Sequence, residues 1–189
     1  MPRAGRLSEG EATRRDIMND PTTRNNALQQ QTFDVWPDAL RALFDGTSLA
    51  GKVGFTASLV ALGEGGRPRT ALLGIGELYA PGPRTLCLAL WPQSRAAQAL
   101  AVRGTAALTF VFEGAFYQAQ LDVEPMQRAS EAALPLACFK GTLAAGEVQR
   151  VNYARLTSGI RFELEEGMRE AALRRWEEQI ALLRRASEG

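Results

Sequence analysis

Histidine does not occur anywhere in the 189 residues of the chain. Its absence excludes Ser-His-Asp and Cys-His catalysis, His-ligated metals and an axial His on haem. Lysine is nearly missing too, with Lys52 and Lys140 its only occurrences, so the basic residues are almost all arginine. The two cysteines, Cys87 and Cys138, lie far apart and make no CxxC or zinc pattern; they are expected as small, reduced core residues, and no metal site is expected. No apolar run is long enough to span a bilayer, and Met1 to Met18 lacks the hydrophobic centre of a signal peptide. Neither charge sign dominates. With 22 Lys plus Arg against 21 Asp plus Glu, no global field attracts nucleic acid or an anionic membrane, so any anion site is local. A soluble, cytoplasmic protein acting on a small molecule is the expectation.

A hydrophobic fraction of 46% and a charged fraction of 23% fit one globular domain with a sizeable core and a flanking segment. Residues 1–31 are polar and without a sustained period, which predicts a flexible arm, with Met18 as an alternative start; residues 32–189 form the domain. Trp36-Pro37-Asp38 opens a helix whose apolar face is Trp36, Leu40, Leu43 and Phe44, and Asp45-Gly46 ends it. From Lys52 to Pro125 the pattern is that of strands. Residues 53–62 and 69–80 predict a hairpin around Gly63 to Pro68, and 84–91, 106–112 and 115–123 predict further strands. Trp91 and Tyr117 are candidates to line a ligand pocket, but as strand aromatics they are expected in the core.

One helix interrupts the strands. Ser94 is a fitting N-cap, Arg95 to Arg103 has helix-favouring composition, and Gly104 supplies the stop. Further strands are expected near 135–143 and over 157–164, with a possible helical stretch at 129–133 competing for the intervening residues. The C-terminal helix carries Leu173, Trp176, Ile180 and Leu183 as one stripe and Glu170 with Arg174 as an i,i+4 pair. Strands in short succession with one inserted helix predict a mainly β fold, an antiparallel barrel with helical decoration.

Two basic clusters then stand near one sheet: Arg67 and Arg69 beside the hairpin turn, and Ser94-Arg95 at a helix start. An arginine fork, a hydroxyl and the unpaired N–H groups of a helix start together suit a phosphate. Singly, each residue is more simply a solvated arginine or an ordinary cap.

The order Gly-Arg-Pro-Arg (66–69), apolar strand, turn, Leu-Cys-Leu-Ala-Leu-Trp (86–91), Ser-Arg opening a helix and two more apolar strands resembles the pyridoxamine 5′-phosphate oxidase-like family of FMN-binding split barrels. The resemblance covers residues 50–126 well and the rest loosely. It implies a six-stranded antiparallel split β-barrel of Greek-key type and a homodimer holding FMN non-covalently at its interface. It also implies that Arg69, Thr70, Ala71 and Leu72 lie beside the flavin and that Ser94 and Arg95 lie on its phosphate. Two positions where family members often carry lysine are here Gly74 and Ala96, which lowers the expected grip. Some relatives use a deazaflavin instead, and others bind haem. A true pyridoxamine 5′-phosphate oxidase is not implied, because such enzymes close over substrate with a C-terminal Arg and His. The reading that results is a flavoprotein oxidoreductase with an unidentified substrate and no assigned catalytic residue, the flavin ring supplying the chemistry. The alternative is a non-catalytic split-barrel binding protein with weak or no flavin binding.

Overall fold

The computed structural model describes residues 28–127 and 134–188. Eight strands form one sheet: β1 (Leu28–Phe33), β2 (Thr56–Leu62), β3 (Pro68–Gly74), β4 (Leu78–Tyr79), β5 (Thr85–Leu90), β6 (Thr105–Phe112), β7 (Ala115–Pro125) and β8 (Ala137–Val151). Three α-helices accompany it: α1 (Asp38–Leu43), α2 (Arg95–Arg103) and α3 (Arg169–Ser187). Every pairing is antiparallel, in the order β3-β2-β6-β7-β8-β5-β4, with β1 added to β8. Six of the strands are the long ones expected, and β1 and the two-residue β4 are short additions. Strands β5 to β8 lie in the order 5-8-7-6, a Greek key.

The sheet is curled, and its connectivity shows why. Strands β3 and β4 stand at opposite ends of the strand order, yet only the 3-10 turn Ile75–Glu77 joins them. Such a link requires the two ends to approach each other, the geometry of a split barrel. The turn also breaks the single strand expected over 69–80. Gly74 donates its N–H to the Glu77 carboxylate at 2.6 Å, and the chain leaves one end of the sheet for the other.

Inside the curl, alternate residues interlock. Ala57, Leu59 and Ala61 of β2, Leu73 of β3 and Leu86, Leu88 and Leu90 of β5 are buried in one cluster with Trp36, Leu40, Leu43 and Phe44, as the α1 reading expects. An aromatic column runs through it. Trp36 meets Phe44 edge-on, Phe44 meets Phe110 edge-on at 5.6 Å, and Phe110 stacks on Tyr117 at 5.3 Å, geometries that add to the gain from burial.

Strand β5 is apolar on both faces for a reason within the chain. Its second face, Cys87 and Ala89, is covered by Leu182 and Leu183 of α3 together with Leu136 and Cys138. Burial, and then the neighbouring Cys138, push the Cys87 thiol up to about 11. Cys87 is thus a packed hydrophobe with little thiolate at neutral pH.

Three further boundaries differ from expectation. Residues 28–31, placed by their polarity in the arm, form most of β1, because β8 is longer than the edge that β5 covers and β1 pairs with the remainder. Strand β8, expected near 135–143, continues to Val151 past a register shift near Ala144, which lets it follow β7 throughout. Residues 157–164 form no strand. They cross the outer face of the sheet at the ends of β2, β3 and β6 instead, with Gly159 against Val111 and Phe162 edge-on to Trp176 at 6.0 Å. Residues 1–27 and the helical stretch considered for 129–133 lie outside the described residues.

Candidate functional site

Strand β3 carries the first half of the site. In its register with β2, Ala61 faces Arg69, Leu59 faces Ala71 and Val60 faces Thr70. Opposed residues share a face, so Arg69 and Ala71 fall on the inner side of the sheet and Thr70 and Leu72 on the outer. Thr70 is exposed and Leu72 is 55% exposed. Gly63 allows the Arg69 side chain to lie flat across the turn: a Cβ there would stand 3.1 Å from Arg69 Cγ and 3.3 Å from its Nε. Only hydrogen could occupy that space without displacing the arginine.

Helix α2 carries the other half. Ser94 accepts a hydrogen bond from the Ala97 N–H at 3.1 Å, and Gly104 closes the helix in the left-handed conformation, so both ends are as expected. Ser94 therefore serves as the cap. The first N–H groups of the helix remain without intrahelical partners, as at any helix start. Ala96, Ala97, Ala99 and Leu100 face the core and Arg95 faces outward.

Arg69 and Arg95 meet across one cleft of about 520 Å³, lined also by Leu62, Gly63, Glu64, Gln98 and Arg103 among others. The sequence reading pairs Arg69 with Arg95, and the structure brings them together. Arg67 does not line the cleft, and Ser94 borders it only through the helix that it caps. Arg103 and Gln98 were not expected. They follow Arg95 at i+8 and i+3, and which side of the helix meets the cleft depends on how α2 packs against β2 and β3.

Electrostatically the cleft is cationic, with three guanidinium groups against one carboxylate, Glu64. Arg69, Arg95 and Arg103 form no ion pair with any described residue. An arginine on a protein surface is usually hydrated or paired; three converging unpaired ones make an anion-ready wall. Of the two positions with lysine in the resembled family, Ala96 is buried and Gly74 lies at the other end of β3, away from the cleft lining. Trp91, expected in the core, is 46% exposed, with the Arg175 guanidinium 5.0 Å over its ring. Tyr117 is in the core as expected.

Among the described residues no group of three or more His, Cys, Asp or Glu side chains could hold a metal ion. Among the described residues no helix is long and apolar enough to cross a membrane.

No family model matches the chain. An uncharacterized protein of Bacillus subtilis, YclD, is 28% identical over 148 residues, covering 78% of this chain and 95% of that one. Among solved structures, an inferred pyridoxamine 5′-phosphate oxidase from Lactobacillus delbrueckii is similar, with a TM-score of 0.49, 11% identity, and coverage of 62% of this chain and 98% of that one. The curled, all-antiparallel sheet with flanking helices described above is that of a split barrel. An F420 reductase aligns with a TM-score of 0.43 at 9% identity over 59% of this chain and 98% of its own. The heme storage protein HutZ of Vibrio cholerae also has a TM-score of 0.43, at 11% identity over 58% of this chain and 91% of its own.

Proposed function

We propose that the protein is a flavoprotein that binds FMN through the Arg69–Arg95–Arg103 cleft and acts as an oxidoreductase on a small molecule. The observation that carries this reading is the convergence of three unpaired guanidinium groups on one cleft. Its volume of about 520 Å³ falls in the range of small-molecule sites. A phosphate there accepts charge-assisted hydrogen bonds from Arg69 and Arg95, while the start of α2 adds its dipole.

Strand β3 supports the second part of the reading. It ends the sheet and pairs only with β2, so the outward N–H and C=O groups of residues 70–72 have no strand beside them. A polar ring lying along that edge can take hydrogen bonds from the backbone, which is how Thr70, Ala71 and Leu72 orient a flavin, two of them with no polar side chain. When bound, the flavin ring supplies the redox chemistry; the protein supplies position and electrostatics. A deazaflavin with a phosphate-bearing tail fits the same groups.

The cleft is rimmed by exposed apolar side chains, Val102 at 81% and Leu62 at 45%, and a second copy of the chain seated there completes the site as a homodimer. The protein acts in the cytoplasm on this reading. A different reading draws on the buried Ala96 and on Gly74: with fewer cations than an FMN site usually has, the cleft holds another phosphorylated ligand and does no redox work.

Purification separates the two. A yellow protein that releases FMN on denaturation, and loses its colour as Arg69→Ala or Arg95→Ala, supports the flavin reading. A colourless protein that takes up no added FMN, although inorganic phosphate still binds, removes that reading and leaves the binding protein.

A further inference from the structure

At the Gly74 end of β3, away from the arginine cleft, lies a second hollow of about 290 Å³, bounded by the strand and by residues 160–162 that cross it. Gly74 has extended backbone and no side chain to fill the space. A Cβ built on it would stand 3.7 Å from Glu77 Oε2 and 3.9 Å from the Phe162 ring, ordinary contact distances. One point beside the strand is therefore within van der Waals reach of both a carboxylate and an aromatic ring. A second ring, that of Trp176, stands perpendicular to Phe162 with centroids 6.0 Å apart and also lines the hollow. Gly76 makes this possible, since a Cβ there would overlap the indole.

Two opposite charges line this hollow, Glu77 and Arg161, and they do not pair. Glu77 accepts the Gly74 N–H through one carboxylate oxygen at 2.6 Å, and among the described residues its other oxygen accepts no hydrogen bond. Arg161 comes from the crossing segment, its fork seated against Gly54, where a Cβ would stand 3.1 Å from Nη2. Neither side chain forms an ion pair with any described residue. Each is held by backbone instead, Glu77 at Gly74 and Arg161 at Gly54, which leaves a gap between them. Arg175 also acts on Glu77, without an ion pair, while its guanidinium lies 5.0 Å over the Trp91 ring. Burial destabilises the Glu77 charge, and the Gly74 N–H and Arg175 only partly offset it. A cation at the open oxygen completes the offset.

We infer that this hollow is a second ligand site, separate from the arginine cleft, and that it takes a small zwitterion, an ammonium and a carboxylate on one apolar skeleton, the class of the free amino acids. The ammonium stands beside Gly74, donates to the open Glu77 oxygen and lies by the Phe162 and Trp176 rings, which favour a cation over their faces. The carboxylate accepts from the Arg161 fork. The apolar part rests on Leu72 and Ile160, each 55% exposed. A simple cation leaves Arg161 unmet and adds to its charge, and a simple anion leaves Glu77 unmet; a molecule of both signs meets both. The inference does not depend on the flavin reading, because it rests on different side chains apart from Leu72.

Leucine is the probe, with isopentylamine as the same skeleton without the carboxylate and isocaproate as the one without the ammonium. In titrations of the intact protein followed by NMR, leucine is expected to shift the indole N–H signal of Trp176, assigned by its loss in Trp176→Phe. Each analogue is expected to bind about tenfold more weakly or worse. Glu77→Gln keeps an acceptor for Gly74 and removes the charge; it is expected to weaken leucine and isopentylamine about tenfold without weakening isocaproate. Arg161→Gln is expected to weaken leucine and isocaproate without weakening isopentylamine, a crossed pattern that two merely structural side chains do not give. Gly74→Leu fills the place of the ammonium without backbone strain and is expected to abolish the Trp176 shift while inorganic phosphate still binds at the arginine cleft. No Trp176 shift at millimolar leucine overturns the proposal. So does equal binding of the three probes, or leucine binding that survives Glu77→Gln or Arg161→Gln undiminished.

Discussion

The two ends of β3, a strand of seven residues, have opposite chemistry. At Arg69 the strand meets the outer side of α2, and the surface is open, cationic and wet. At Gly74 it meets a crossing segment, and the surface mixes the Phe162 and Trp176 rings with Glu77 and Arg161. The difference follows from alternation along one strand. Arg69 falls on the inner face just where the barrel wall ends, so its charge reaches water over Gly63; Thr56 and Gly74 fall on the outer face where the chain later returns to cover them. A single strand thereby ends in unpaired cations on one side and in rings with mixed charge on the other.

The comparison is most easily broken at the cationic end. Arg69→Ala and Arg95→Ala are each expected to weaken FMN binding by about 10- to 100-fold, the usual range for a hydrogen bond to a charged group, measured by fluorescence quenching of added FMN. Neither change should alter the melting temperature appreciably, because neither arginine is paired within the chain. At the aromatic end the effect is on stability. Gly76→Ala forces a methyl group against the Trp176 ring and is expected to cost about 1–3 kcal/mol in urea unfolding; if stability is unchanged, the indole is not seated as described. A smaller effect separates the unexpected arginine from the expected pair. Arg103→Ala should weaken FMN by roughly 3- to 10-fold, less than Arg95→Ala, since it gives charge from the far end of the helix; equal losses would move the anion toward the helix C-terminus.

The smallest effect is one of pH. Burial holds the Glu77 carboxyl above its ordinary range, against the lowering influence of the Gly74 N–H and of Arg175. The folded protein therefore binds this proton more tightly than the unfolded chain does. Stability from Glu77 is fully present below the unfolded value and falls as pH rises through the folded one. Glu77→Gln keeps an acceptor for Gly74 and removes the titration. Its melting temperature should exceed that of the parent at neutral pH and approach it in acid; the opposite ordering would mean that the carboxylate is held as an ion.

How legible this was in the sequence varies by element. The α2 boundaries were fully readable, because Ser94 and Gly104 are local signals with local causes, and so was the burial stripe of α1. The convergence of Arg69 and Arg95 was readable only through the ordered resemblance, since it depends on which strand ends lie side by side. The crossing of the sheet by residues 157–162 was not readable. Thr56, Glu77, Phe162 and Trp176 come from four separate elements, and the alternation of Ile160, Phe162 and Leu164 mimics a strand although the segment lies across a face. Apolarity on both sides of β5 shows that both faces are buried, and α3 covers the second of them. Periodicity reports that a face is buried; it does not report by what.

Strand β1 has a consequence for how the chain reaches this structure. It pairs with β8 from Leu28–Val151 through Phe33–Gly146, contacts spanning well over a hundred residues, while β2 to β3 and β6 to β7 close through short turns. On a ribosome, β1 emerges first and has nothing to pair with until β8 follows. Hairpins and the meander can form early; the N-terminal strand is fastened last, onto the half of β8 left uncovered by β5. Until then that half of β8 is an unprotected edge, open to pairing with another chain. The polar Gln29-Gln30-Gln31 run suits such a strand, since it can wait in water without collapsing onto the wrong partner.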